Sequence, residues 1–427
     1  MSTGIGAGSA GTKSLVGGGT YLAVAMIVSN VGNYALNLFL GRVLTPAEFS
    51  DANLMVTLML TLTSIALGLQ LVAARFVGMY DEAGRPEKSE RLARTLRVYA
   101  LGAGLVTGLA LAAGSGFWSE LFQTASFWPF VVLGAGMPFY LVQSVGRGVM
   151  QGRLRFRELA VSFVVEMIVR LGAGVVLVAL GFGVNGATVA LTLSFVATWL
   201  TVKLLARVGP ALAGSAPAPD VRAYAALVAV LLIGQIIANN SDVLVAKAFF
   251  TPDAAGIYAA IALVGRAVFF LAWSVATVVF PVVARRHASG GDTGSLLTGG
   301  IAAVAAIGAA CTLGALWLGG PILGVILGPD YGGLSIPLAA YAGMTTLFAV
   351  ANLIASHELS QGHNTQSWLL LGASVLQLGL LLIWHESTAQ LILVQFVAMA
   401  ALLLVMAARR VLRTSSSPIP PAEGPSR

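Results

Sequence analysis

The chain has 427 residues, of which 57% are apolar and only 10% are charged, and its mean hydropathy is +0.88. A soluble globular domain carries about 25% charged residues, so this composition excludes a soluble enzyme or binding module and indicates an integral membrane protein. The net charge of +7 would suit a nucleic-acid-binding protein, but the basic residues are placed as a membrane topology requires, and we expect no nucleic-acid partner.

Twelve apolar segments are long enough to cross a bilayer, which takes about 20 residues in an α-helix. They lie near residues 15–40, 52–78, 95–116, 125–146, 158–181, 184–206, 221–248, 254–283, 296–318, 332–356, 367–384 and 388–408. The first segment is too long for a signal-peptide core, so we expect it to be retained. The intervening segments are short and leave no room for a soluble catalytic domain, so we expect no enzyme.

The basic residues predict which side of the membrane each end faces. With a cytoplasmic N-terminus, 20 of the 24 Lys and Arg residues lie on the cytoplasmic side and only Arg42 and Lys247 lie outside. This asymmetry follows the positive-inside rule and places both termini in the cytoplasm.

An internal repeat divides the chain into two halves. Asn33, Thr45 and Pro46 recur 206 residues later as Asn239, Thr251 and Pro252, and the pair Gln151-Gly152 recurs as Gln361-Gly362. The repeat predicts an all-α polytopic membrane protein with two parallel six-helix halves around a central cavity, as in many transporters. The predicted parts are the halves 1–208 and 221–412, a cytoplasmic linker 209–220 and a disordered tail 413–427.

Two polar stripes predict a substrate-binding cavity between the halves. In the first span Asn30, Asn33 and Asn37 share one helix face, and in the seventh Gln235, Asn239 and Asp242 do the same. Polar side chains within the membrane tend to face a cavity or a partner. The alternative is that they only join helices by hydrogen bonds.

Three ionisable residues are further candidates for substrate binding. Glu166 and Arg170 have the i, i+4 spacing of a helix ion pair, which is either structural or functional. Arg266 has no carboxylate one turn away, so it needs either a protein carboxylate, such as Asp242 or Glu166, or a substrate phosphate. We expect Arg266→Ala to abolish transport and to leave folding intact.

A second set of residues predicts a cytoplasmic gate. Gln143, Arg147 and Gln151 are spaced at i, i+4 and i+8, and His357 is the repeat equivalent of Arg147. The alternative for Arg147 is that it extends to the lipid headgroups. The four histidines are dispersed and Cys311 is the single cysteine, so we expect neither a metal nor another cofactor.

Three stretches resemble the polysaccharide and oligosaccharide flippases of the multidrug/oligosaccharidyl-lipid/polysaccharide exporter superfamily. They are NNSDVLVAKAFFTPDAAGIYAAIALVGR (239–266), FPVVARR (280–286) and GVMQGRLRFRE (148–158). The resemblance implies alternating access by two lobes in a bacterial cell membrane, which moves an undecaprenyl-diphosphate-linked oligosaccharide from the cytoplasmic to the outer leaflet for cell-surface polysaccharide synthesis. It implies as partners the bilayer, this glycolipid, and glycosyltransferases or a polymerase of the same pathway.

Two other functions stay open at the level of the sequence. An ion-coupled drug or metabolite antiporter of the same superfamily would use buried carboxylates such as Asp242 and Glu166, although the first span contains no acidic residue. A membrane-bound glycan polymerase or ligase is disfavoured because the predicted outer loops are short.

Overall fold

The computed structural model describes residues 6–206, 218–269, 271, 294–360 and 365–415. Its α-helices within these residues are α1 Gly6–Val43, α2 Pro46–Glu82, α3 Pro86–Ala113, α4 Ser115–Leu121, α5 Trp128–Gly152, α6 Phe156–Leu177, α7 Gly183–Ala206, α8 Pro219–Phe249, α9 Pro252–Gly265, α10 Gly294–Ile326, α11 Ser335–Ser360, α12 Thr365–Ile383 and α13 Thr388–Ser415. A π-helical turn, Val178–Phe182, joins α6 to α7, and a 3-10 turn, Pro329–Tyr331, precedes α11.

Eleven stretches of the described residues are long and apolar enough to cross a membrane. One of them, Phe156–Ala206, has 51 residues and as a single straight helix would extend about 76 Å, far beyond the thickness of a bilayer core. It turns back on itself at Gly181, where φ is 88°, and Arg170 of α6 then lies beside Ser194 of α7. The chain is therefore a multi-pass membrane protein with twelve crossing helices in its described part, as the sequence predicts.

The repeat is visible in the backbone as well as in the sequence. Thr45 caps α2 at φ −63° and ψ 159°, and Thr251 caps α9 at φ −60° and ψ 151°. Each threonine is followed by a proline, which suits the first turn of a helix. Thr45 also forms a capping box with Glu48, which Thr251 lacks.

Several boundaries differ from the sequence-based ones. Helix α8 begins at Pro219, inside the predicted linker, and α13 continues to Ser415, beyond the predicted start of the tail. The short helix α4 was not predicted, because it is too short for a criterion based on membrane thickness. Residues 272–283 of the predicted eighth span, the stretch 280–286 and the pair Gln361-Gly362 lie outside the described residues.

Helices α2 and α8 form an antiparallel seam between the halves. At one end of the seam Lys247 of α8 pairs with Asp51 of α2, and at the other the ring of Tyr224 packs edge-on against Phe76 at 5.8 Å between centroids. We call the first the capped end and the second the basic end, because Arg75, the 85–97 segment and the 153–157 segment lie there. Between these two contacts the seam runs from residue 51 to residue 76 of α2 and from residue 247 to residue 224 of α8.

At the capped end the two halves share one hydrophobic core. The core of the second half includes Leu36, Leu40 and Phe49 from the first half. Gly256 of α9 lies so close to the carbonyl of Pro46 that a methyl group there would overlap it. Backbone contact of this kind is possible only because the residue has no side chain.

Candidate functional site

A buried ion cluster lies in the first half, at the junction of α1, α5 and α6. Glu166 joins two guanidinium groups: Arg147 Nη2 lies 2.7 Å from its Oε2, and Arg170 pairs with its Oε1. The i, i+4 pair expected from the sequence therefore forms, with Arg147 as an additional partner. Both arginines are only 6% exposed.

Neutral groups accept further hydrogen bonds from both guanidinium groups of this first-half cluster. Arg147 donates to the side-chain and main-chain oxygens of Ser162, both at 3.0 Å, and its guanidinium lies 4.0 Å from the centre of the Phe163 ring. Arg170 donates to Asn33 Oδ1 at 3.1 Å and to Ser194 Oγ at 3.2 Å. Within the described residues, the ion pairs of the cluster join two positive groups to one negative group, which leaves one positive charge in excess.

The second half contains a different buried cluster. Arg266 Nη2 lies 2.8 Å from Asp242 Oδ1, and the other oxygen of Asp242 accepts hydrogen bonds from Tyr341 at 2.7 Å and Tyr258 at 2.9 Å. Arg266 also donates to Tyr341 at 3.0 Å and to Asn240 at 3.4 Å. This second-half cluster is neutral, with one guanidinium for one carboxylate.

Local structure determines how Arg266 reaches Asp242. Helix α9 ends at Gly265, and Arg266 is its C-terminal cap, with its N–H bonded to Ala262 O. Tyr341 packs directly on the backbone of Gly265, where any side chain would collide with its ring. The sequence left two kinds of partner open for Arg266, and the structure shows a protein carboxylate.

Those members of the two polar stripes that form described hydrogen bonds form them inside their own halves. Asn37 donates to the backbone oxygen of Asn33 at 2.8 Å, within α1. Gln235 donates to Asn352 of α11, and Asp242 is held by Arg266. Asn239 is half-buried. Among the described contacts none joins one stripe to the other.

The four predicted gate residues are found in four different environments. Arg147 belongs to the first-half cluster and does not extend to headgroups, because Glu166 and Ser162 hold its guanidinium in the interior. Gln151 accepts a hydrogen bond from Gln70 at 3.0 Å. Gln143 lies in a groove between α3, α5 and α7, and His357 is buried on α11.

An ion pair that the sequence did not reveal joins the halves at the capped end. Lys247 Nζ lies 2.6 Å from Asp51 Oδ1 and donates to Ser50 Oγ at 2.8 Å, and all three residues are buried. Asp51 Oδ2 accepts from the N–H of Ala125 at 3.0 Å. The only signal in the sequence was the position of Lys247, on the side of the membrane that has few basic residues.

Helix α1 connects the first-half cluster to the second half. Asn33 binds Arg170, and the adjacent Tyr34 donates to the main-chain oxygen of Leu263 at 2.6 Å. Leu263 lies three residues before Arg266 in α9. A displacement of α1 would therefore act on both clusters.

No group of three His, Cys, Asp or Glu side chains in the described part of the chain is arranged to hold a metal ion. The chemistry available in the two clusters is ionic and hydrogen-bonding. Such groups bind anions and hydroxyl-rich ligands.

Comparisons with known proteins identify a family and a fold. A family model described as polysaccharide biosynthesis protein matches residues 39–335. None of the curated proteins is significantly similar in sequence.

Among solved structures, an inward-facing multidrug resistance MATE family transporter of the MOP superfamily has a TM-score of 0.77 at 15% identity, over 94% of this chain and 100% of that chain. The outward-facing conformation of such a transporter has a TM-score of 0.63 at 16% identity, over 92% of this chain and 95% of that chain. The lipid II flippase MurJ in an inward closed conformation has a TM-score of 0.74 at 12% identity, over 91% of this chain and 87% of that chain. At these identities the likeness shows a shared transporter fold.

Proposed function

Because the chain belongs to the polysaccharide biosynthesis protein family, we propose that it is a flippase for a lipid-linked oligosaccharide. Its cargo is an undecaprenyl-diphosphate-linked glycan, which it moves from the cytoplasmic to the outer leaflet of a bacterial cell membrane by alternating access. The protein performs no covalent chemistry in this function. Glycosyltransferases and a polymerase of the same pathway are the partners that would make and use the cargo.

The excess positive charge of the first-half cluster carries the proposal. A buried charge without a counter-ion is costly, and a charge inside a membrane protein marks a pathway for ions or substrate. Arg147 and Arg170 share only Glu166, so a diphosphate group entering beside them would supply the missing negative charge. Guanidinium groups suit phosphate oxygens in charge and geometry.

The contacts between the halves support an alternating-access cycle. The capped end is closed by the Lys247–Asp51 pair and by the approach of Gly256 to Pro46. By the positive-inside rule the basic end would be cytoplasmic, with both termini on that side. The contacts at the capped end would then have to break for a cargo to leave on the outer side.

The second candidate, an ion-coupled drug or metabolite antiporter, has one observation in its favour. Asp242 is a fully buried carboxylate, and ionisable residues within membrane helices often mark ion pathways. However, Arg266 and two tyrosine hydroxyls already occupy both of its oxygens. A carrier of cationic drugs would also gain from an excess of negative charge, which the first-half cluster does not provide.

The test is a lipid analysis of a strain from which this gene is deleted and which has no second flippase gene. We expect the polyprenyl-diphosphate glycan with its complete repeat unit to accumulate in the cytoplasmic leaflet, and the wild-type gene to restore the normal pool. An unchanged lipid pool, together with proton- or sodium-driven efflux of a cationic dye from proteoliposomes, would establish the antiporter instead.

A further inference from the structure

A groove at the basic end lies on the outside of the first half, away from the seam. Its lining residues come from α3, α5 and α7 and include Arg97, Gln143, Trp199 and Lys203. None of the lining residues belongs to the second half. The groove is therefore separate from the two ion clusters and from the space between the halves.

Gln143 is a buried polar residue whose side chain is unsatisfied. Only 1% of its surface is exposed. Neither its amide nitrogen nor its amide oxygen has a hydrogen-bond partner in the described structure. A buried amide without a hydrogen-bond partner destabilises the folded protein. A ligand in the groove that both accepts and donates hydrogen bonds would remove that cost.

The positively charged side chains around Gln143 favour an anionic ligand. Lys203 extends over the ring of Trp199, with its Nζ 5.1 Å from the ring centre, and Arg97 lies on the facing helix. The negative charge of Glu90 attracts the guanidinium group of Arg97. Glu90 also lies 3.3 Å from Arg94 and 3.7 Å from Arg153. Its single negative charge is thus divided among several cations, and the groove is positive.

The apolar surface next to the groove favours a lipid as the ligand. Towards the centre of the membrane, α3 continues with the exposed Leu101 and Leu105, and α7 with the exposed Leu200 and Leu193. These side chains face outward from the bundle, where acyl chains would lie. The enclosed space of the groove is about 10 Å³, enough for one water-sized group, so the groove would take a headgroup against its surface and not a whole ligand.

We infer that this groove binds the headgroup of an anionic phospholipid of the bilayer. Its phosphate lies between Arg97 and Lys203, and a headgroup hydroxyl, such as those of phosphatidylglycerol, pairs with the amide of Gln143. Its acyl chains follow the outward leucines of α3 and α7. The inference does not depend on the proposed transport function.

The test is native mass spectrometry of the delipidated full-length protein titrated with phosphatidylglycerol and, separately, phosphatidylcholine. We expect Arg97→Gln combined with Lys203→Gln to weaken phosphatidylglycerol binding at least tenfold. Arg85→Gln, which removes an exposed charge at the same end but outside the groove, should leave binding within twofold of wild type. Equal binding by the double variant and wild type would overturn the assignment.

Two further measurements distinguish an anionic phospholipid site from a purely structural role of Gln143 and from a site for free phosphate. Gln143→Leu should weaken phosphatidylglycerol binding several-fold and yet raise the melting temperature of the lipid-free protein, because it removes an unsatisfied amide. Lower affinity together with a lower lipid-free melting temperature would make Gln143 merely structural. Equally tight binding of phosphatidylcholine, or binding of inorganic phosphate in place of the lipid, would refute an anionic phospholipid site.

Discussion

At the scale of single residues, Glu166 is the counter-ion of two buried arginines, and its removal differs in consequence from the removal of either partner. Glu166→Gln would leave Arg147 and Arg170 both uncompensated, and breaking a buried pair in this way costs about 3–5 kcal/mol. We expect little folded protein from this variant, measured by size-exclusion chromatography and thermal melting in detergent. A wild-type yield and melting temperature would show that the cluster is already solvated.

Arg170→Gln has the opposite profile. It leaves Glu166 paired with Arg147 at 2.7 Å, so the cluster becomes neutral and folding should be nearly preserved. The excess charge proposed to attract the diphosphate is then lost, and we expect at least a tenfold fall in flipping of the lipid-linked glycan in proteoliposomes. Arg170→Lys keeps the charge and serves as the matched control; equal activity of both variants would remove the excess charge from the mechanism.

For Arg266 the structure changes the expectation derived from the sequence. Arg266→Ala would leave Asp242, which is fully buried, without its cation, so we now expect lower stability rather than intact folding. Arg266→Met combined with Asp242→Asn should melt at a higher temperature than either single variant, because no charge is left unpaired. If the double variant were the least stable of the three, the two residues would not act as a pair.

The residues around these clusters show what a sequence can and cannot predict. The i, i+4 pair of Glu166 and Arg170 was predictable because helix geometry alone brings the side chains together. The contact of Arg266 with Tyr341 joins residues 75 positions apart and depends on how α9 packs against α11. Periodicity contains no information about that packing.

At the scale of helices, the number of spans was predictable. Each span must cross a fixed thickness of hydrocarbon and must satisfy its backbone polar groups by hydrogen bonds within the helix. The ends were less predictable, as Pro219 and Ser415 show, because a helix continues into water wherever capping and propensity allow. The close contact of α9 with α2 at Gly256 could not be predicted. A glycine in a membrane helix is compatible both with contact to lipid and with contact to a neighbouring backbone.

This contact can be tested by adding a single methyl group. Gly256→Ala gains up to about 1 kcal/mol of helix propensity but places the methyl against Pro46 O, and overpacking of this kind costs about 1–3 kcal/mol. We expect a net fall in the melting temperature in detergent. Gly372→Ala, in α12 with open space around it, should melt at or above the wild-type temperature; an identical response at both sites would mean that α2 and α9 are not tightly packed.

At the scale of the whole molecule, the Lys247–Asp51 pair keeps the capped end closed. Lys247→Met leaves Asp51 unpaired and should favour a state in which the halves separate at that end. The reporter is Leu44→Cys, a buried position at the same end, in a Cys311→Ala background. We expect a charged maleimide to label it several-fold faster when Lys247 is replaced.

Two controls make this result specific. Exchanging the charges, with Asp51→Lys and Lys247→Asp together, should restore slow labelling. Leu141→Cys, in the core of the first half, should stay unlabelled in every variant, because labelling there would indicate general unfolding. Fast labelling of the charge-exchanged protein would show that the ion pair does not hold the halves together.

The excess charge of the first-half cluster also determines how the resting voltage of a cell would act on the carrier. Moving one elementary charge through 100 mV changes the free energy by about 2.3 kcal/mol, and the interior-negative potential favours outward movement of an anion. When a doubly negative diphosphate binds beside Arg147 and Arg170, their one surplus positive charge cancels half of it. Depolarisation should therefore slow outward flipping, and Arg170→Gln, by removing that cancellation, should make the remaining flux more steeply dependent on voltage.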